Sequence, residues 1–245
     1  MKRLARVRTA LGRVPVVVSD WALVARLMVR ALLDRTAPDA LVDGELTPVV
    51  LLPGIWEPWR FMLPLGRRLH ALGHPVHFLP ALGWNGRSLE DSVQLALDGL
   101  TAAADGGAVL VAHSKGGLIG KSILLDASLG QQVHGLVALC SPFGGSRLSW
   151  PVFARTPLGM FAPSGAVIVA LAALQAANSR IVSIGSAWDE MVPDGTHLPG
   201  ATNVTLDISG HFRPVDDPDV AHLVHEHVEQ LAAAAQAAAA PSQRS

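Results

Sequence analysis

Residues 107–120 read Gly107-Ala-Val-Leu-Val-Ala-His-Ser-Lys-Gly-Gly-Leu-Ile-Gly120. Ala108 to Ala112 is a short apolar run bounded by glycines, the pattern of a strand buried on both faces. After Gly117, the residues Leu118, Ile119, Ser122, Leu124 and Leu125 predict a helix packed on the sheet. His113, Ser114 and Lys115 therefore occupy the turn between strand and helix. A serine in so tight an elbow is pushed to the top of the sheet, and small neighbours relieve the crowding there.

The pentapeptide is Ala112-His113-Ser114-Lys115-Gly116, with Ala in the place of the first Gly of G-x-S-x-G. On this motif between strand and helix the chain resembles the α/β-hydrolase superfamily, bacterial lipase/esterase branch. A competing pattern overlaps it, since Gly120-Lys121-Ser122 ends like a phosphate-binding P-loop. That loop needs Gly where this chain has Lys115, and an acidic strand end where it has Leu139-Cys140-Ser141.

Composition bounds the reading. A chain of 245 residues, half hydrophobic and 16% charged, predicts one domain with a large core rather than a disordered polymer. The net charge of -1 gives no general pull toward nucleic acid. One cysteine rules out an intrachain disulfide framework, and Cys140 reads as a small buried filler. No apolar run spans a bilayer, and Arg13, Asp20, Arg26 and Arg30 interrupt the segment after the basic start, so no cleaved signal is read. These features predict a cytoplasmic protein, with peripheral contact at a membrane as the alternative. Oligomeric state is open.

The chain divides into an N-terminal helical segment (1–46) packed on the core, an α/β domain (47–240) and a tail (241–245). The first segment predicts a helix over 16–35, which either covers the sheet or lies on a membrane surface. Strands are predicted at 48–53, 75–79, 108–112, 136–140, 180–184 and 202–208, with helices at 59–72 and 88–104. This is a mostly parallel central sheet with helices on both faces, the α/β-hydrolase fold class. Residues 146–178, rich in Trp150, Phe153, Leu158, Met160 and Phe161, read either as a small cap over the site or as a helix with a long connection.

The resemblance spans residues 47–230 and implies site residues. Asp189, after the strand at 180–184, matches the triad acid, and His211 in Ser209-Gly210-His211 matches the catalytic histidine loop. Ser114, Asp189 and His211 follow the chain order of this fold. Glu190, Asp194 and Asp207 are the competing acids. The backbone N–H groups of Ile55 and Lys115 would form the oxyanion hole, although Pro53 stands where the lipase branch has His. Trp56, Trp84 and Phe143 are candidate pocket residues, Trp84 equally well covering a core edge. The Lys115 side chain either attracts an anionic substrate or points to solvent.

The resemblance implies a serine carboxylic-ester hydrolase acting on a small-molecule or lipid ester through an acyl-enzyme, with no cofactor or metal. Acyltransferase or thioesterase chemistry on the same triad, or a catalytically silent acyl-binding member, are the alternatives. His70, His74 and His77 lack metal-site spacing. His222, His225 and His227 miss His-Glu-x-x-His because position 229 is Glu, and they read as a polar helix face.

Overall fold

The computed structural model describes residues 2–100, 107–128, 132–149 and 156–239. Six parallel strands form one sheet in the order β2-β1-β3-β4-β5-β6. They are β1 (Val49–Leu52), β2 (Val76–Phe78), β3 (Ala108–His113), β4 (Val133–Leu139), β5 (Ile181–Gly185) and β6 (Thr202–Thr205). The strand order reverses direction beside β1 and β3, so a crevice opens at their C-terminal ends, where open α/β sheets place ligands. Central strands β1, β3, β4 and β5 are almost wholly buried, which explains their unbroken Val, Leu and Ala runs.

The sheet separates two apolar layers. On one side Leu110, Ala112, Leu118, Ile119 and Leu136 pack together with helices α3 (Leu89–Leu100) and α4 (Lys115–Leu125). On the other, Leu51, Val109, Val111 and Val137 meet α2 (Leu63–Ala71) and the long C-terminal helix, together with Leu27 of α1 (Lys2–Leu33). The remaining helices are α5 (Ala166–Ala173), α6 (Arg213–Asp216) and α7 (Pro218–Ala239).

Several boundaries move. α1 starts well before residue 16, because Pro15 is accommodated inside it. The helix expected at 59–72 begins as a 3-10 turn, Trp59–Met62, and becomes α-helical at Leu63, with Pro64 in its first turn where no N–H is needed. β6 is shorter than expected, so Asp207 lies past it and is exposed. Gly120-Lys121-Ser122 sits well inside α4, not at its N-terminus, and Lys121 is buried, so the P-loop pattern is accidental. His74 is fully buried, its ring nitrogens 2.8 Å from the Thr47 carbonyl oxygen and 2.8 Å from Nδ1 of His225. One member of the expected polar helix face, the half-buried His225, thus pairs with a buried histidine. Trp150, Phe153, the end of the helix expected at 88–104 and the tail lie outside the described residues.

Candidate active site

Ser114 joins β3 to α4 with φ 51° and ψ -119°, a conformation a non-glycine residue adopts only at a cost of about 1–3 kcal/mol. The surroundings enforce it. The Ser114 N–H donates to the Leu139 carbonyl at 2.9 Å, and α4 starts hard against the sheet. A Cβ at Gly116 would fall 2.2 Å from the Leu52 carbonyl oxygen, and one at Gly117 would fall 2.0 Å from Ser141 Oγ. Both glycines are therefore required by close approach. Ala112 fits where the motif's first Gly would stand.

His211 and Asp189 meet behind this elbow. His211 Nδ1 lies 2.8 Å from Asp189 Oδ2, and both side chains are almost wholly buried. The other carboxylate oxygen, Oδ1, accepts the N–H groups of Met191 and Val192 at 2.8 Å each. Burial works to raise the Asp189 carboxyl, but the charge interaction and hydrogen bond with His211 and the two N–H donors outweigh it and hold it below the ordinary range. Because Nδ1 faces a carboxylate it carries the proton, leaving Nε2 as the acceptor. Ser114 and His211 line one cavity of about 510 Å³, and among the described residues no hydrogen bond joins them.

The competing acids do not reach His211: Asp194 has another partner, and the oxygens of Glu190 are buried without a hydrogen-bond partner among the described residues. Asp194 pairs with Arg147 at 3.1 Å, and Glu190 lies against Asp20. The Glu190 carboxyl is pushed up to about 8, first by burial and then by the neighbouring Asp20.

Three residues organise the site without any sequence motif having marked them for that role. Asp20, on α1, is 1% exposed. Its carboxylate accepts the backbone N–H groups of His211 at 2.8 Å, Phe212 at 3.0 Å and Arg213 at 3.0 Å. It clamps the histidine loop at the start of α6. A sequence signal existed: Asp20 is the only acid in the first 33 residues, and Val16, Val17, Leu23, Val24 and Leu27 surround it at helical spacing.

Glu57 and His113 are the other two. The Glu57 carboxylate lies 2.8 Å from His113 Nδ1 and accepts the Gly54 N–H at 2.6 Å. His113 Nε2 lies 3.0 Å from the carbonyl oxygen of His211. Both ring nitrogens thus face acceptors, which fits a doubly protonated ring balanced by Glu57. Burial alone would lower the His113 pKa; the Glu57 charge and hydrogen bond reverse this and raise it. The pair links the Gly54-Ile55-Trp56-Glu57 turn to the histidine loop.

The Lys115 side chain reaches neither substrate space nor solvent. Its Nζ donates to the carbonyls of Asn85 at 2.9 Å and Arg87 at 2.7 Å and to Ser92 Oγ at 2.9 Å. Burial lowers its pKa to about 8. Asn85 in turn donates through Nδ2 to the Pro53 carbonyl at 2.7 Å, so Lys115 anchors the loop that supports the end of β1.

The cavity wall is mostly apolar. Ile55, Trp56, Leu148, Leu158, Phe161 and Val192 line it, joined from α1 by Trp21, Val24 and Met28. Trp84 and Phe143 do not line it: Trp84 is 52% exposed on its loop, and Phe143 is buried in the core layer under α4. Among the described residues, the set nearest to a metal-ligand group is Cys140 Sγ, an Asp189 oxygen and a His211 nitrogen, all within 4.8 Å. A metal there would displace the His211–Asp189 hydrogen bond. It would also need the Cys140 thiolate, which burial first and Asp189 second oppose by raising its pKa.

No protein-family model matches the sequence, and a comparison with curated proteins gives no match. Solved structures do match. The chain superposes on a structure described under LipS and LipT, two metagenome-derived lipolytic enzymes, at 15% identity and TM-score 0.57, over 80% of this chain and 95% of the other. It also superposes on MGS-MChE2, an α/β-hydrolase enzyme from the metagenome of lagoon sediments at Mar Chica, Morocco. There the identity is 19% and the TM-score 0.56, over 77% and 93% of the two chains. A thermophilic esterase from Thermogutta terrifontis matches at 15% identity and TM-score 0.53, over 77% and 92%. At these identities the likeness speaks to architecture, and it agrees with the six-stranded parallel sheet flanked by helices. The chain has the α/β-hydrolase fold.

Proposed function

We propose that the protein is a serine carboxylic-ester hydrolase whose triad is Ser114, His211 and Asp189. The observation that carries this reading is the buried His211–Asp189 hydrogen bond on the wall of a cavity into which a strained Ser114 is turned. His211 Nε2 takes the Ser114 proton as Oγ attacks the ester carbonyl, and Asp189 stabilises the imidazolium. The alkoxide of the tetrahedral intermediate is held by the backbone N–H groups of Ile55 and Lys115; losing one such donor costs about 2.7–4 kcal/mol of barrier. The intermediate collapses as His211 returns the proton to the leaving alcohol. Water, deprotonated by His211, then cleaves the acyl-enzyme and releases the acid.

The apolar lining favours an acyl chain over a polar acid portion. Lipolytic and esterase structures among those matched are consistent with an ester as substrate. The experiment is hydrolysis of p-nitrophenyl esters from acetate to palmitate by the wild type beside Ser114→Ala. Turnover that disappears in the variant supports the reading, and the chain-length optimum separates esterase from lipase. Equal rates in the two proteins would refute it.

A further inference from the structure

We propose that α1 is a bilayer-docking helix that seats the mouth of the Ser114 cavity on an anionic lipid surface. This deepens the reading of that cavity as an acyl site and rests on it.

Val14, Val18, Trp21, Val29 and Leu32 are all about half exposed or more, Val18 at 63% and Leu32 at 67%. At 100° per residue they fall within about 80° of the helix circumference, so they form one stripe along α1. Asp20, Leu27 and Ala31 hold the opposite side to the protein. A soluble helix normally turns such a stripe inward; here it faces outward along most of the helix.

The stripe is continuous with the cavity. Trp21 belongs to both, and Val24 and Met28 beside it line the cavity wall. Across the opening, Trp56 and Leu148 also line the cavity while remaining nearly half exposed. An apolar rim thus leads from the outer face of α1 to Ser114. A surface seated on the stripe would meet the cavity mouth, and an acyl chain could pass between them without crossing water.

Charge selects the occupant. Residues 1–19 carry Lys2, Arg3, Arg6, Arg8 and Arg13 and no acid. A basic, amphipathic helix with Trp, Val and Leu on its apolar face is the composition that partitions to an anionic membrane interface. The orientation would be held rigidly, because Asp20 caps the histidine loop and Arg26, on the flank of the helix, pairs with Asp216.

The test is flotation of the full chain with vesicles of phosphatidylcholine alone or mixed with phosphatidylglycerol. Wild type and Ser114→Ala are expected to float with the mixed vesicles, less so with neutral ones, and less at high salt. The double variant V18D/L32D, which changes neither a cavity nor a triad residue, is expected to bind roughly tenfold more weakly or worse. Its hydrolysis of soluble p-nitrophenyl butyrate stays at the wild-type rate. If V18D/L32D fails to fold by circular dichroism, V18S/L32S serves for the same comparison. Wild type that stays in the soluble fraction, or that binds neutral and anionic vesicles alike, overturns the proposal. So does light scattering that finds a dimer which V18D/L32D converts to monomer, since a second copy would then cover the stripe. Flotation of a protein with no ester activity in any form would leave the docking intact and remove the hydrolase reading alone.

Discussion

The Asp20 carboxylate accepts the backbone N–H of His211 at 2.8 Å, across 191 positions of sequence. Through this contact the N-terminal helix, which lies outside the α/β sheet, holds the loop that carries His211. Asp20→Ala leaves three N–H groups without their acceptor and removes a buried charge they stabilise. The expected loss is roughly 3–5 kcal/mol of stability. Asp20→Asn keeps an acceptor oxygen and is expected to fold, with kcat reduced more than KM changes, because the histidine rather than the substrate is displaced. Denaturant melts and steady-state kinetics on both variants check this.

The Glu57–His113 pair yields a second prediction. Glu57→Gln withdraws the charge that balances the His113 ring and weakens the acceptor for the Gly54 N–H. The turn carrying Ile55 loses its anchor, so kcat is expected to fall by about tenfold to a hundredfold, less than the roughly hundredfold to thousandfold cost of losing an oxyanion donor outright. An unchanged kcat in a stable variant would show that the pair serves stability alone.

Titration gives stability a definite slope. The Glu190 carboxyl lies at about 8 in the folded protein against an ordinary 4.5. The native state therefore keeps a proton that the unfolded chain releases, and stability from this group falls as pH rises from 4.5 to 8. His113, raised above 6.5, acts in the same direction: its contribution is complete below 6.5 and is lost as pH climbs through the folded value. Asp189 has the opposite sign, since its lowered carboxyl stabilises above 3.8 and loses that contribution as pH falls through the folded value. The combined contribution of these three groups is greatest on the acid side of neutrality, whereas His74, His77 and His134, lowered by burial, contribute less as pH falls below 6.5. Glu190→Gln should flatten the decline between 4.5 and 8, as urea melts across pH will show.

Lys115 separates backbone from side-chain roles. Lys115→Ala retains the N–H assigned to the oxyanion hole but strips the donors from Asn85, Arg87 and Ser92. It is expected to lower the melting temperature clearly. Lys115→Arg, too large for a fully buried site, is expected to destabilise as well.

The fold was legible because its signals are local. Val-rich runs such as Val49–Leu52 and Ala108–His113 can only be buried strands, and Gly116 and Gly117 mark an elbow pressed against β1 and Ser141. Ser114, Asp189 and His211 were assigned from the resemblance, from strand ends and from chain order, and the structure brings His211 and Asp189 into contact and sets Ser114 and His211 on one cavity. Asp20, Glu57 and His113 were not assigned, because their roles depend on contacts between distant segments that no periodicity encodes. The side chain of Lys115 was left undecided for the same reason: its acceptors belong to the 85–87 loop and to Ser92 of α3, 23–30 residues away. Trp84, past β2, was left between lining the pocket and covering a core edge; β2 lies at the sheet edge, and the indole is half exposed and lines no part of the Ser114 cavity.

The central claim is that Ser114 is the nucleophile, and covalent labelling with a fluorophosphonate tests it most directly. Peptide mass spectrometry of the labelled wild type is expected to place a single adduct on Ser114, with none in Ser114→Ala and slower labelling in Asp189→Asn by up to about ten-thousandfold. A folded wild type that takes no label, or a Ser114→Ala variant labelled as fast as wild type, would contradict the account.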